Sequence, residues 1–249
     1  MTAGPLAGRD SIGSTGLLLL AAAAAWAWVV GRGRVMGSMP GTMGLDLPAF
    51  LPVWTVMSAA MMLPATAPVA SLYARTILRH RFARLVAFTV GYLLVWAGAG
   101  LPAFALAAVA GRAAGTHAAT ATATAAVVFA ANGVYQLTPL KDRCLARCRS
   151  PIGLMLRYAS YPGRSRDLRA GVHHGAFCLG CCWSLIALLA AFGLMNLWAM
   201  VGLAAVLSAE KLAPAGPVVA RIVGVVSLAL AIAVVWVPSL APGLIRSPM

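Results

Sequence analysis

Residues 85–110 read LVAFTVGYLLVWAGAGLPAFALAAVA. No charged side chain interrupts this stretch, and Arg84 and Arg112 stand just outside it. Roughly 20 apolar residues in a helix cross the ~30 Å of hydrocarbon in a bilayer. In lipid a single run of this length must satisfy its own backbone hydrogen bonds, which leaves the α-helix. The stretch predicts a transmembrane helix.

Similar apolar runs lie on both sides of it, at 15–31, 48–73, 120–140, 172–193, 195–209 and 215–237. They predict an all-α, polytopic transmembrane helical bundle of about seven helices, with residues 1–249 forming a single integral membrane domain. The run at 195–209 is short and follows the fifth directly. It reads as the return arm of a tight hairpin, and six spans result if it does not cross. The first run follows Arg9 but lacks a small-residue cleavage site, so it reads as a retained helix and not a signal peptide.

Composition points the same way. Of 249 residues, 61% are hydrophobic and 10% charged, whereas soluble domains carry about 25% charged residues. The formal charge of +14 lies between apolar runs and not on a polar domain, which argues against a nucleic-acid partner. Loop 74–84 holds Arg75, Arg79, Arg81 and Arg84; loop 141–171 holds Lys141, Arg143, Arg147, Arg149, Arg157, Arg164, Arg166 and Arg169. The other side has Arg32, Arg34, Arg112 and Arg246. The positive-inside rule therefore predicts a cytoplasmic N-terminus, a cytoplasmic basic loop 141–171, and an outer C-terminus for seven spans or an inner one for six. Within that loop, PIGLMLRYASY at 151–161 predicts a short interfacial helix. The preference for Arg over Lys and the abundance of Ala fit a GC-rich bacterial genome, so the expected location is the bacterial plasma (inner) membrane.

The acidic residues are Asp10, Asp46, Asp142, Asp167 and Glu210, with no pair inside an apolar run, which argues against a proton-coupled carrier of the usual kind. No GxxxxGK[ST], HExxH or GxSxG motif occurs, which argues against ATP binding by that route and against those two enzyme types.

Sulfur remains. Cys144 and Cys148 stand four apart after the fourth run, and Cys178, Cys181 and Cys182 form CLGCC in the fifth. His174, Cys178 and Cys182 share one helical stripe, with Cys181 beside it. The cytoplasmic end is reducing, so clustered thiols there suit a soft metal better than permanent disulfides. Met36, Met39 and Met43 fall in or beside the outer segment GSMPGTMG, and Met57, Met61 and Met62 in VMSAAMMLP. Thioethers bind Cu(I) without deprotonation. The competing reading is packing: Cys is a small hydrophobe and Met an adaptable filler.

The segments MSAAMMLPATAP at 57–68, YQLTPLKDRCLARCRSP at 135–151, HGAFCLGCCW at 174–183, GLMNLWAM at 193–200 and the pair Glu210–Lys211 resemble the predicted metal-binding integral membrane proteins, a bacterial domain family of unknown function. That resemblance implies a polytopic membrane protein with a metal site. Members of that family often carry a further Met soon after CCW; here the run is SLIALLAA at 184–191, so such a ligand has no counterpart.

The expectation is a membrane metal-handling protein with the lipid bilayer and a metal ion as partners. Copper, as Cu(I), is the first choice and zinc the second. Outer Met36, Met39 and Met43 would capture the ion, and Met57, Met61 and Met62 would line its path. Cys178, Cys181, Cys182 and His174 would receive it, with Cys144 and Cys148 completing the site or passing metal to a metallochaperone. A homo-oligomer is left open. Two alternatives stand beside this reading. One is a membrane thiol–disulfide oxidoreductase using the Cys178/Cys181 pair. The other is a non-catalytic assembly subunit.

Overall fold

The uncharged stretch at 85–110 forms the middle of one helix, α3 (Arg81–Thr116). The computed structural model describes residues 6–36, 41–75, 77, 80–150, 153, 157, 158, 163 and 165–244. The other α-helices whose bounds lie among the described residues are α1 (Leu6–Met36), α2 (Leu47–Arg75), α4 (Ala118–Gln136), α5 (Pro139–Cys148), α6 (Arg166–Ala187), α7 (Leu189–Phe192), α8 (Leu197–Leu212) and α9 (Gly216–Trp236). No strand occurs among the described residues. The interfacial helix expected at 151–161 falls mostly outside them.

Among the described residues, six helical segments are long and apolar enough to cross a bilayer: 16–34, 47–75, 81–112, 118–136, 166–192 and 216–236. The seventh candidate is α8, whose 16 residues reach about 24 Å. It nonetheless runs between the two ends of the bundle. Leu197 at its start lies against Gly33 near the end of α1, and Glu210 near its finish accepts a hydrogen bond from Gln136 at the end of α4. Asn196 starts α8 by accepting from the Ala199 amide at 3.2 Å.

Large apolar side chains point outward around the bundle: Leu20, Phe82, Val127, Val225 and Ile232 are all at least 60% exposed. Polar contacts are turned inward. Asn132 donates to Ser227 Oγ at 2.8 Å, and Trp54 Nε1 donates to the Trp96 carbonyl at 2.9 Å. Helices that lack a hydrophobic drive to associate rely on such bonds and on close packing of small residues. The α3/α6 contact is the clearest case. A Cβ at Gly171 would run into the Phe88 carbonyl, and one at Gly91 into the Leu168 carbonyl, so the two backbones touch. At the basic end, Asp167 of α6 accepts a forked pair from Arg84 (Nε 3.0 Å, Nη2 2.9 Å) and a hydrogen bond from Tyr73, tying α2, α3 and α6 together.

A cavity of about 520 Å³ opens between α2, α3 and α6. Trp54, Trp96, Pro102, Trp183 and Leu194 contribute to its wall, and no sulfur donor does.

Candidate metal centre

The segment after α4 was expected to be a loop from 141 onward; its first part is α5. Thr138 caps that helix by accepting from the Lys141 amide at 3.3 Å, and Pro139 takes the first helical position. The cap lays α5 along α6. Lys141, Leu145 and Cys148 are its buried residues, at the i, i+4, i+7 spacing of one face.

That face meets the CLGCC segment, in which Cys178, Cys181 and Cys182 are all buried. The Cys181 sulfur lies 3.6 Å from that of Cys148 and 3.3 Å from that of Cys182. All five cysteines are free thiols. Two sulfurs sharing one metal at about 2.3 Å each lie within about 4.6 Å of one another, and both pairs meet that condition.

Cys178 touches both Cys181 and Cys182 and adds neighbours of its own. Its sulfur is 2.9 Å from the Tyr92 hydroxyl and 3.0 Å from Lys211 Nζ. The same ammonium lies 3.6 Å from the Met62 sulfur, and Thr66 holds Tyr92 with a 3.0 Å hydrogen bond. One helical turn before Cys178, the His174 ring stacks between Phe88 and Tyr92, with centroids at 5.9 and 5.7 Å. Its buried Nδ1 has no hydrogen-bond partner among the described residues.

Charged groups clamp the site. Lys141 Nζ donates to Glu210 Oε2 at 2.6 Å and to the Cys181 carbonyl at 2.5 Å. Gln136 donates to the other Glu210 oxygen at 2.8 Å. Arg149 reaches the Glu210 and Pro214 carbonyls at 2.6 and 3.1 Å. Glu210 and Lys141 are 1% and 0% exposed, so neither charge has water to rely on.

Not every candidate donor joins this centre. Cys144 is half-buried and its sulfur rests over Gly180. Met57 and Met61 are buried in α2, whereas Met62 is the methionine whose sulfur faces Lys211. Met43 lies at the opposite end and is only 4% exposed. The turn Gly41–Gly44, with left-handed backbone at Gly41, Met43 and Gly44, folds it inward instead of leaving it open in a loop. Met39 lies outside the described residues, as does the side chain of Met36, which ends α1. Tyr92, Lys141, Glu210 and Lys211 were not among the residues expected at the metal site. An acidic–basic doublet closing an apolar run was the available signal for the last two.

Among the described residues, no group of three or more His, Cys, Asp or Glu side chains is arranged to hold a metal ion. A structural zinc site draws four such donors to one point. The sulfurs here form a chain of contacts centred on Cys181, with a thioether nearby, and that soft donor chemistry fits Cu(I).

A family model described as PpoB2, copper chaperone, matches residues 51–234, well over half of the chain. The chain belongs to the PpoB2 copper chaperone family. The matched region takes in Met62, Tyr92, both cysteine clusters and the Glu210–Lys211 pair. Membership gives this PpoB2 chain a copper-related role, in agreement with the first-choice metal. No curated protein and no solved structure matches the chain.

Proposed function

We propose that this chain is an integral membrane copper chaperone that holds Cu(I) on cysteine sulfur at the basic, cytoplasmic end of its bundle and passes it to an acceptor. The observation that carries the reading is the meeting of Cys148 with the Cys181/Cys182 pair across the α5/α6 contact, at 3.6 and 3.3 Å. Thiolates select Cu(I) by softness, and the family is one of copper chaperones. His174, with its unpartnered buried nitrogen, and Met62 are the nearest further donors. The positive-inside count supports the cytoplasmic assignment of this end, and six long apolar helices support the membrane setting.

A chaperone must release what it binds, and a pair of soft donors with others close by allows metal to step from one to the next. Cys144, half-buried on the same helix as Cys148, stands where such a step would leave the bundle. The acceptor would be a cytoplasmic metallochaperone or a second copy of the chain.

The test is elemental analysis of the detergent-purified protein beside a Cys178/Cys181/Cys182→Ser variant, both loaded with Cu(I) under anaerobic conditions. Stoichiometric copper on the wild type and its loss from the variant are expected. Equal copper on both would sink the reading. A mass change of a disulfide on oxidant treatment, with no metal bound, would favour the thiol–disulfide alternative instead.

A further inference from the structure

Lys211 keeps unusual company. The residue is half-buried, and its ammonium is directed into the bundle. A buried ammonium is ordinarily paired with a carboxylate. The neighbouring carboxylate, Glu210, is already held by Lys141 and Gln136, and no ion pair joins Lys211 to an acid among the described residues. Its Nζ lies instead between two sulfurs, 3.0 Å from Cys178 and 3.6 Å from Met62. Both sulfurs are essentially inaccessible, at 1% and 0% residue exposure. A thiol and a thioether that converge on one buried point are a Cu(I) seat by donor chemistry. Here a single positive charge sits in it.

We propose that Lys211 is a tethered stand-in for Cu(I): its ammonium fills the seat between Cys178 and Met62 when copper is away, and copper binds there by displacing it. This rests on the copper reading and adds the residue that sets how tightly the metal is held. The metal ligand is the Cys178 thiolate. An ammonium–thiolate pair that becomes a Cu(I)–thiolate pair exchanges one monovalent cation for another, with no proton released and the charge of the seat unchanged, while the ammonium withdraws toward the exposed side of the half-buried Lys211. The return of the ammonium then helps expel the metal. A nearby fixed positive charge also opposes a divalent ion more strongly than a monovalent one, which favours Cu(I) over Zn(II).

The experiment titrates detergent-purified full-length protein with Cu(I) against a competing chelator, and separately with Zn(II). Lys211→Gln should bind Cu(I) at least about tenfold more tightly than wild type, a clear free-energy difference. Its Zn(II) affinity should rise by a larger factor. In a Cys178→Ser background the same substitution should change Cu(I) affinity less than about twofold, because the seat is already broken. Cu(I) should also raise the thermal midpoint of Lys211→Gln more than that of wild type. Unchanged or weaker Cu(I) binding by Lys211→Gln overturns the proposal. If that variant does not fold, Lys211→Met, which keeps the length and adds a thioether, carries the same expectations. If the triple Cys→Ser protein binds Cu(I) as well as wild type, the copper reading itself has failed, whatever Lys211 does.

Discussion

Lys141 brings its charge into the interior by leaning on Glu210, and both are effectively without solvent. Removing one partner of such a pair leaves the other charge buried and uncompensated, at a cost of about 3–5 kcal/mol. Lys141→Met should therefore lower stability by that order in a thermal or denaturant unfolding assay. The Lys141→Met/Glu210→Met double variant should recover most of it. A double variant as unstable as the single would show that the clamp acts through the Cys181 carbonyl contact alone. The sulfurs can be ranked by the same reasoning. Cys148→Ser removes a sulfur that touches Cys181, while Cys144→Ser alters one packed over Gly180. Copper per protein should fall to half or less in the first and stay near wild type in the second. At this scale the sequence made the thiols legible, because three cysteines within five residues of an apolar run stand out. Lys141 and Lys211 were illegible for a physical reason: a cation at the edge of an apolar run looks like a loop charge. Only the tertiary fold shows that these two turn inward.

At the scale of elements, the glycine contact between α3 and α6 sets what can move. Gly171 has the Phe88 carbonyl where a side chain would begin. Gly171→Leu should force the helices apart and destabilise the protein by about 3 kcal/mol or more, since overpacking a backbone contact cannot be relieved by a rotamer change. A wild-type unfolding midpoint for that variant would contradict the contact. The apolar runs made the long helices legible, but not their ends: α1 begins nine residues before its run, and α3 ends six residues after its own. Two elements were less legible. The α5 helix is short and carries several charges, so hydrophobic pattern alone did not separate it from a loop, although its Thr-Pro start is a capping signal. The α8 helix is too short to be judged from length, and only the contacts of its two ends show that it runs along the bundle. Orientation gives a direct check on these elements. A reporter fused after Arg84 should read cytoplasmic and one at Gly44 external. A cysteine placed at Ser165 should be labelled from the cytoplasmic side alone, and labelling from outside would invert the bundle.

For the whole molecule, the polar residues that matter are gathered at one end, where α4, α5, α6, α8 and α9 converge on Glu210, Lys141 and the cysteines. Cys178 is 12 residues beyond Arg166 along α6, so the sulfurs lie about 18 Å above the start of that helix. Delivery at that end predicts a cellular phenotype. In a strain lacking the native protein, Cys182→Ser at matched membrane levels should fail to restore copper handling, measured as copper accumulation and tolerance. Met61→Leu keeps volume and apolarity and should leave the resting copper content of the purified protein intact. If Met61 is a step on the path from outside, the same variant should slow accumulation at low external copper. Wild-type behaviour by Met61→Leu at every copper concentration would confine the protein to a metal site at the inner face.

The ion pair that closes the site joins positions 69 residues apart in the chain. During synthesis Lys141 therefore leaves the ribosome long before its partner exists. An unpaired ammonium at membrane depth costs about 2.5–3.5 kcal/mol on insertion scales, so α5 has no reason to leave the water surface until α8 arrives with Glu210. Nascent chains that stop short of Glu210 should hold Cys181 open to alkylating reagents, and finished chains should shield it. On the copper reading the site closes only after α8 has been made, and chains stopped short of Glu210 should not bind the metal.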